Sequence, residues 1–383
     1  MTRIRFDGSR DHPPLSRFAR PPEEERSLGP NVARRKGPRL TSATAWPPMD
    51  GLWGLAIVDA KTIGARWLGF AVVVALGLPA AGAARPFRAP RDAYGAPDLN
   101  GVWNNNALTR LQRAPGLLPL VVQPAEAAAA ERKLMAGYAP EGTAANVGGT
   151  QSEWWDGAHL ARVDGELRTS WLVDPDDGQL PYTAEGKRRA AAFAKAQLES
   201  FDGPEARPVA GDRCLLPSWG AMGPVMLNSP YNANYRFVQT RDQIAIMAEN
   251  NDELRIIRIG AAHLPAQILP WTGDSIGRWE KDTLVVETTN LRADAPLSQA
   301  PFFFTAGARV VERFTRVSPT ALKYEFTVED PAIFARPWRA EMTFAATGAT
   351  LYEFACHEGN YAMSNVLAGA RAAEREAAGK AVP

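Results

Sequence analysis

Four side chains stand out as candidates for acid–base chemistry: His263, His357, Asp274 and Glu249. Histidine is the side chain best suited to proton transfer near neutral pH, and a neighbouring carboxylate can orient it. In that scheme His263 or His357 abstracts or donates the proton, and Glu249 or Asp274 orients it. Arg255 or Arg278 then steadies an anionic intermediate. Trp271, Tyr235, Glu358 and Asn360 are candidate substrate-binding residues beside them. His263 falls in a loop after the strand-like run Leu254–Ile259, and loops at the mouth of a barrel are common places for sites. His357 follows Cys356 at the end of an expected last strand; a rim histidine bonding a backbone carbonyl is the structural alternative. Counting in twos puts Tyr352, Phe354, Cys356 and Glu358 on one face and Glu353 and His357 on the other, so His357 and Glu358 point apart unless a bulge intervenes.

Asp274 lies in Gly273-Asp274-Ser275-Ile276-Gly277, which matches Gly-x-Ser-x-Gly. A nucleophile elbow needs a strand before the serine and a helix after it. Here Arg278–Asp282 leads into the strand-like run Thr283–Asn290, so the context is a hairpin. A turn in which Asp274 fixes backbone donors is the expectation. Glu249, Arg255 and Arg258 lie in or beside runs that are apolar on both faces, and Glu312-Arg313 is similarly placed. A charge inside an apolar barrel must be paired or must meet a ligand, and both possibilities stay open from sequence.

What is missing narrows the chemistry. There is no His-Glu-x-x-His, His-x-His or Cys-x-x-Cys, and no glycine-rich phosphate or dinucleotide loop before a helix. No metal and no cofactor are therefore expected. After residue 84 the chain holds 31 basic and 35 acidic residues, which gives no electrostatic case for binding nucleic acid. The eight tryptophans in that part, among them Trp154, Trp155 and Trp271, suit an apolar or aromatic small molecule, although most can also serve a core. The oligomeric state is not encoded in any pattern we recognise.

Residues 49–83 read as a cleavable signal peptide. Lys61 and Arg66 form a basic region, Trp67–Leu78 is an uncharged apolar run, and Ala81-Gly82-Ala83 supplies small residues for cleavage before Ala84. As a helix the run spans about 18 Å, against about 30 Å of bilayer hydrocarbon, so no stable membrane span is expected after cleavage. A periplasmic or secreted protein follows. Residues 1–48, rich in Arg, Pro and Glu, read as a disordered or mis-assigned extension, with Met49 as the true start. Cys214 and Cys356, an even count in an oxidising compartment, are expected to pair. Closing a loop of about 140 residues, the bridge adds about 5 kcal/mol at most in the chain-entropy picture.

The elements that must position these residues follow from patterning. Residues 84–97 are an extended lead-in, and 98–213 hold a first strand at Gly101-Val-Trp103, helices and loops that pack on a barrel. A helix is expected at Pro124–Tyr138 and another, capped by Thr183, running to Phe201. From 214 to 363 the chain reads as a β-meander, with strands at Tyr235–Thr240, Gln243–Glu249, Leu254–Ile259, Thr283–Asn290, Val310–Val317, Leu322–Glu329, Trp338–Phe344 and Thr350–Cys356. Residues 364–383 form a C-terminal helix capped by Ser364. The fold expected is mainly β: an antiparallel meander closing into a lipocalin-like up-and-down barrel with a few peripheral helices.

The segments Asp98-Leu-Asn-Gly-Val-Trp103, Asp174-Pro-Asp-Asp-Gly178, Gly273-Asp-Ser-Ile-Gly-Arg-Trp-Glu280 and Cys356-His-Glu-Gly-Asn-Tyr361 together resemble a widespread family of secreted, mostly uncharacterised bacterial proteins. More distantly, Gly101-x-Trp103 ahead of a meander resembles the first strand of lipocalin-like barrels, which implies a cup for an apolar small molecule. The function expected is an exported, cofactor-independent small-molecule enzyme of lyase, hydratase or isomerase type. The alternatives are a non-catalytic periplasmic binding or carrier barrel and a cell-envelope interaction protein.

Overall fold

A computed structural model describes residues 87–114, 119–137, 159–207, 214–215, 223–229, 231–292 and 304–380. The expected extension, the signal peptide, Trp154-Trp155 and Trp219 lie outside them. Among the described residues, thirteen strands and three α-helices follow one another. The strands are β1 (Gly101–Asn104), β2 (Val121–Val122), β3 (Arg162–Val163), β4 (Glu166–Arg168), β5 (Leu172–Asp174), β6 (Asn234–Gln239) and β7 (Gln243–Ala248), then β8 (Leu254–Ile259), β9 (Asp274–Glu280), β10 (Thr283–Thr289), β11 (Arg309–Ser318), β12 (Ala321–Glu329) and β13 (Trp338–Ala346). The helices are α1 (Pro124–Met135), α2 (Ala184–Glu199) and α3 (Ala362–Lys380).

Nine strands close into a barrel in the order β1-β6-β7-β8-β9-β10-β11-β12-β13, with β13 returning to β1 through Trp103↔Ala346. β5 takes the other end of the same β13 edge, and β2-β4-β3 form a small separate sheet. The barrel is the expected up-and-down one, with one departure that matters for the site. A ring with an odd number of strands cannot alternate direction all the way round, so at least one neighbouring pair must be parallel. That pair is β8 and β9, through Ile257↔Ser275 and Ile259↔Gly277. A parallel pair needs a crossover connection of a dozen or more residues. Residues 260–273 supply it, and they carry His263 and Trp271.

β9 itself was expected to be a turn. Gly273 before it and Gly277 within it suggest a turn, but Gly277 sits in mid-strand because a Cβ there would lie 2.8 Å from Ile257 Cγ2 and from Ile259 Cδ1. The expected strand Thr350–Cys356 is instead irregular. β13 already has β12, β1 and β5 along its edges, so the backbone donors of this segment turn to carboxylates. Tyr352 N donates to Glu249 Oε1 (3.1 Å), and Phe354 N donates to both oxygens of Asp252 (3.1 and 3.2 Å). The Cys214–Cys356 disulfide is present, with a Cα–Cα distance of 5.9 Å.

The helices are close to expectation. Thr183 Oγ1 accepts from Gly186 N (2.9 Å) at the start of α2, and a Cβ on Gly186 would lie 2.2 Å from Ile333 O, so only glycine lets the two backbones approach. α1 ends three residues before Tyr138, with Ala136 as its cap. α3 starts earlier than expected: Asn360 Oδ1 accepts from Ala362 N (3.0 Å), while Ser364 Oγ donates to Tyr361 O.

Inward side chains fill the barrel with rings. Tyr324 lies at the centre, with ring centroids 4.8 Å from Phe314, 5.1 Å from Phe326 and 5.5 Å from Phe344. Phe237, Tyr235 and Trp338 pack around these rings. Each such side chain contributes roughly 1.5–3 kcal/mol by leaving water. The segment 223–229 lies against this core, with Val225 and Met226 fully buried. Asn228 pins it by donating to Ala107 O (2.7 Å) and Thr109 O (3.0 Å) and accepting from Trp171 Nε1 (2.8 Å). Met226 N donates to Tyr324 OH (3.0 Å), so the segment reaches into the ring cluster.

Candidate functional site

Alternation along β8–β11 divides polar residues between the two faces of one wall. Arg255, Ser275, Thr288 and Glu312 point inward; Arg258, Asp274, Glu287 and Arg309 point outward. The crossover passes over the outer face and adds His263.

On the outer face, Asp274 is the hub. Arg258 Nη2 donates to both of its oxygens (2.8 and 3.0 Å), and Leu264 N donates to Oδ2 (2.9 Å). His263 Nδ1 lies 2.8 Å from the same oxygen, and His263 Nε2 lies 3.3 Å from Glu287 Oε1. Arg309 pairs with the other oxygen of Glu287 and reaches Glu329 Oε1 at 3.4 Å. The result is a hydrogen-bonded chain across five strands in which carboxylates alternate with guanidinium or ring nitrogens: Arg258, Asp274, His263, Glu287, Arg309, Glu329. The Asp274 side chain is buried, whereas that of His263 is 23 % exposed and that of Glu287 25 %. Burial pushes the Asp274 pKa up, but the Leu264 N–H, His263 and Arg258 outweigh it and hold the carboxyl below the usual range. Arg309 does the same for Glu287, against partial burial and with help from His263.

The crossover is fixed from its far side by Asn290. Its side-chain amide donates to Leu264 O (3.2 Å), Pro265 O (3.1 Å) and Ile268 O (3.1 Å). His263 is thus held through the residues that follow it, by Asp274 at Leu264 N and by Asn290 at the carbonyls of Leu264, Pro265 and Ile268. Trp271 is exposed on the same crossover, with the Arg292 guanidinium 4.4 Å from its ring centroid.

On the inner face, Arg255 and Glu312 form a fully buried pair. Arg255 Nε donates to Ser275 Oγ, Nη1 to Glu312 Oε1 and Nη2 to Thr288 Oγ1, each at 3.0 Å; a further Nη2 contact reaches Glu312 Oε2. Tyr324 OH donates to Glu312 Oε1 (2.7 Å), and Ser275 and Thr288 hydroxyls lie 2.9 Å apart. Of the two possibilities left open by sequence, Arg255 meets an internal partner.

The sequence candidates therefore separate. His263 and Asp274 come together as expected, although Asp274 acts from a strand and not from a turn. Ser275 faces the barrel interior on β9, with β10 following and no helix, so the nucleophile-elbow context is absent. Glu249 is buried and spent on Asn234 Nδ2 (2.7 Å) and Tyr352 N, apart from His263. Tyr235 is a core ring whose hydroxyl pKa is raised by burial. Arg278 is exposed and donates to Glu280. His357, Glu358 and Asn360 lie together on the exposed loop beside the disulfide, where Asn360 Nδ2 donates to Cys214 Sγ (3.1 Å).

Glu287 and Arg309 were missed. The signal for Glu287 was present: Leu284, Val286 and Thr288 alternate inward on β10, which turns Glu287 outward. Its partner on β9 was hidden by reading 273–277 as a turn. Among the described residues no group of His, Cys, Asp and Glu is arranged to hold a metal ion, and no helix is long and apolar enough to cross a membrane. No protein-family model, curated protein or solved structure matches the chain.

Proposed function

We propose that the chain is an exported enzyme that moves a proton on an apolar or aromatic small molecule, of lyase, hydratase or isomerase type, at the outer-wall site around His263. The observation that carries this reading is the pair of carboxylates on the two ring nitrogens. With both nitrogens protonated, each can donate to a carboxylate. When Nε2 gives up its proton, Nδ1 still donates to Asp274, which keeps the ring oriented, and the Nε2 lone pair is available as a base. Glu287 lies beside that atom as proton relay. Arg258 keeps Asp274 ionised, and Trp271 offers an apolar wall. Arg255, expected to meet substrate, is instead committed to Glu312. The disulfide and the signal-like stretch 49–83 support export.

A proton taken from a C–H bond by Nε2 exchanges with solvent before it returns. Incubating the secreted protein in deuterated water with a panel of aromatic and aliphatic carbonyl compounds, followed by mass spectrometry, should therefore show single-deuterium incorporation into a panel member. His263→Gln should slow it by about 100-fold or more. Exchange that survives His263→Gln would remove the proposal. A second reading, a non-catalytic surface-binding protein, is favoured by the engagement of both ring nitrogens and both carboxylates in the unliganded chain. It predicts no exchange into any panel member.

A further inference from the structure

Three arginines are buried among the described residues: Arg255, Arg207 and Arg113. Two of them are provided for. Arg255 is bonded to Glu312, Ser275 and Thr288. Arg207 donates to Ser200 O (3.4 Å), and its guanidinium lies 5.2 Å from the Phe201 ring centroid. Arg113 is only 7 % exposed, yet its guanidinium has neither a hydrogen bond nor an ion pair among the described residues. Water can accept a hydrogen bond from it but brings no charge, and a buried charge without a counter-charge is costly.

The surroundings hold this arginine firmly. Each residue from Arg110 to Arg113 is hydrogen-bonded to the stretch 171–180. Trp171 N donates to Arg110 O (2.8 Å), Leu172 N to Leu111 O (3.0 Å), and Leu180 N to Gln112 Oε1 (2.8 Å). Arg113 N donates to Gly178 O (3.0 Å), and Gln179 Nε2 donates to Arg113 O (2.9 Å). Gly178 closes the Asp174-Pro-Asp-Asp-Gly turn with a φ of +70°, and a Cβ there would lie 2.8 Å from Arg113 Cβ and 3.0 Å from its Cζ and Nε. Only glycine lets the turn lie directly on the guanidinium.

The three acids of that turn are not its partners. Asp174 accepts from Arg336 Nη1 (2.6 Å), Asp177 accepts from Gln179 N (2.9 Å), and Asp176 is exposed. Of the three side-chain nitrogens of Arg113, only Nε is sealed from water, which leaves the two Nη groups for an incoming acceptor. Those groups present parallel donors that match the two oxygens of a carboxylate. The acids on the turn disfavour a doubly charged phosphate more than a singly charged carboxylate, which narrows the ligand class.

We propose that Arg113, beneath the Asp174–Gly178 turn, anchors a binding site for a small organic carboxylate. The site shares no residue with the His263 cluster and stands independently of the catalytic reading.

The test is urea unfolding of the secreted protein in rising sodium benzoate or sodium acetate, with sodium chloride holding ionic strength constant, paired with calorimetric titration of the same salts. A carboxylate that binds the folded state should raise the urea midpoint with concentration. Arg113→Lys keeps the charge but loses the paired donors, and should weaken binding about tenfold. Arg113→Met should weaken it about 100-fold or more, while its midpoint without ligand equals or exceeds that of wild type, because no charge then remains to be desolvated. If Arg113→Met does not fold, Arg113→Lys decides alone. Neither carboxylate binding to wild type, binding unchanged in the variants, or binding of inorganic phosphate in place of both carboxylates overturns the proposal. So does a lower ligand-free midpoint in Arg113→Met that Asp176→Asn with Asp177→Asn reproduces, since a turn acid is then the partner.

Discussion

The inner and outer faces of β8–β11 carry the same kinds of side chain from adjacent positions, Asp274 beside Ser275 and Glu287 beside Thr288, yet they use them differently. Inside, Arg255 and Glu312 are sealed among aromatic rings, with hydroxyls from Ser275, Thr288 and Tyr324 completing their hydrogen bonds. Outside, the Arg258–Asp274–His263–Glu287–Arg309 chain keeps His263 and Glu287 in partial contact with water. A charge pair removed from water is costly to leave incomplete, so the inner pair fixes the register of the wall. Proton exchange needs access to water or substrate, so chemistry belongs to the outer face. The inner cluster holds the strands on which the outer cluster is mounted.

The sharpest way to break this contrast is Glu312→Ala, which leaves the Arg255 guanidinium buried without its counter-charge. A loss of about 3–5 kcal/mol is expected in urea unfolding. Replacing both partners with apolar residues, Arg255→Met with Glu312→Leu, should return most of that stability, because no charge then remains to be desolvated. A Glu312→Ala cost below about 1 kcal/mol would mean that water reaches the inner pair and that the two faces do not differ.

Asp274→Asn probes the boundary between them, since this carboxyl is buried but belongs to the outer chain. A loss of about 1–3 kcal/mol is expected near neutral pH from hydrogen bonds to charged groups. The pH dependence has a definite sign. Asp274 and Glu287 have folded pKa values below their unfolded values of about 3.9 and 4.3, so the folded state binds fewer protons than the unfolded chain. Their stabilisation is fully present above that range and is lost as pH falls through the folded values. Urea midpoints measured from neutral pH down to about pH 3 should therefore fall less steeply in Asp274→Asn than in wild type. Parallel acid limbs would show that Asp274 titrates alike in both states.

Patterning revealed the barrel because its long strands alternate strictly: Leu322, Tyr324, Phe326 and Val328 face inward between charged or polar neighbours. It did not reveal β9, because Gly273 and Gly277 resemble a turn; the role of the strand is to stand parallel to β8. That single strand decides the site, because the parallel pair creates the crossover that lays His263 on Asp274. His263 and Asp274 were legible as residue types. The outward direction of Glu287 could be read from the β10 alternation, but its meeting with His263 and Arg309 could not, since a cross-strand ladder depends on register. Glu249 and the 350–356 segment misled for a related reason: β-like patterning there cannot tell a strand from a backbone whose donors are taken up by carboxylates. Arg255 could face a ligand or a partner as far as patterning tells, and the position of Glu312 on a strand distant in sequence decided it.

Arg278 gives the smallest expected effect and the most exacting control. It was a candidate for steadying an anionic intermediate, but its side chain is 59 % exposed and its partner Glu280 also holds Arg313 at 3.0 Å. Removing Arg278 leaves Glu280 paired, and water and salt screen what charge remains. Arg278→Ala should therefore leave both the urea midpoint and any deuterium exchange indistinguishable from wild type. A shifted midpoint would show that the outer wall is not screened as its exposure implies, and the difference between the faces would shrink. Lost exchange with an unchanged midpoint would instead move the substrate from the His263 end of β9 towards its far end, where Arg278 and Arg313 flank Glu280. Because Arg278 and Asp274 face outward on the same strand, four residues apart, comparing their two variants maps how far along β9 the chemistry extends.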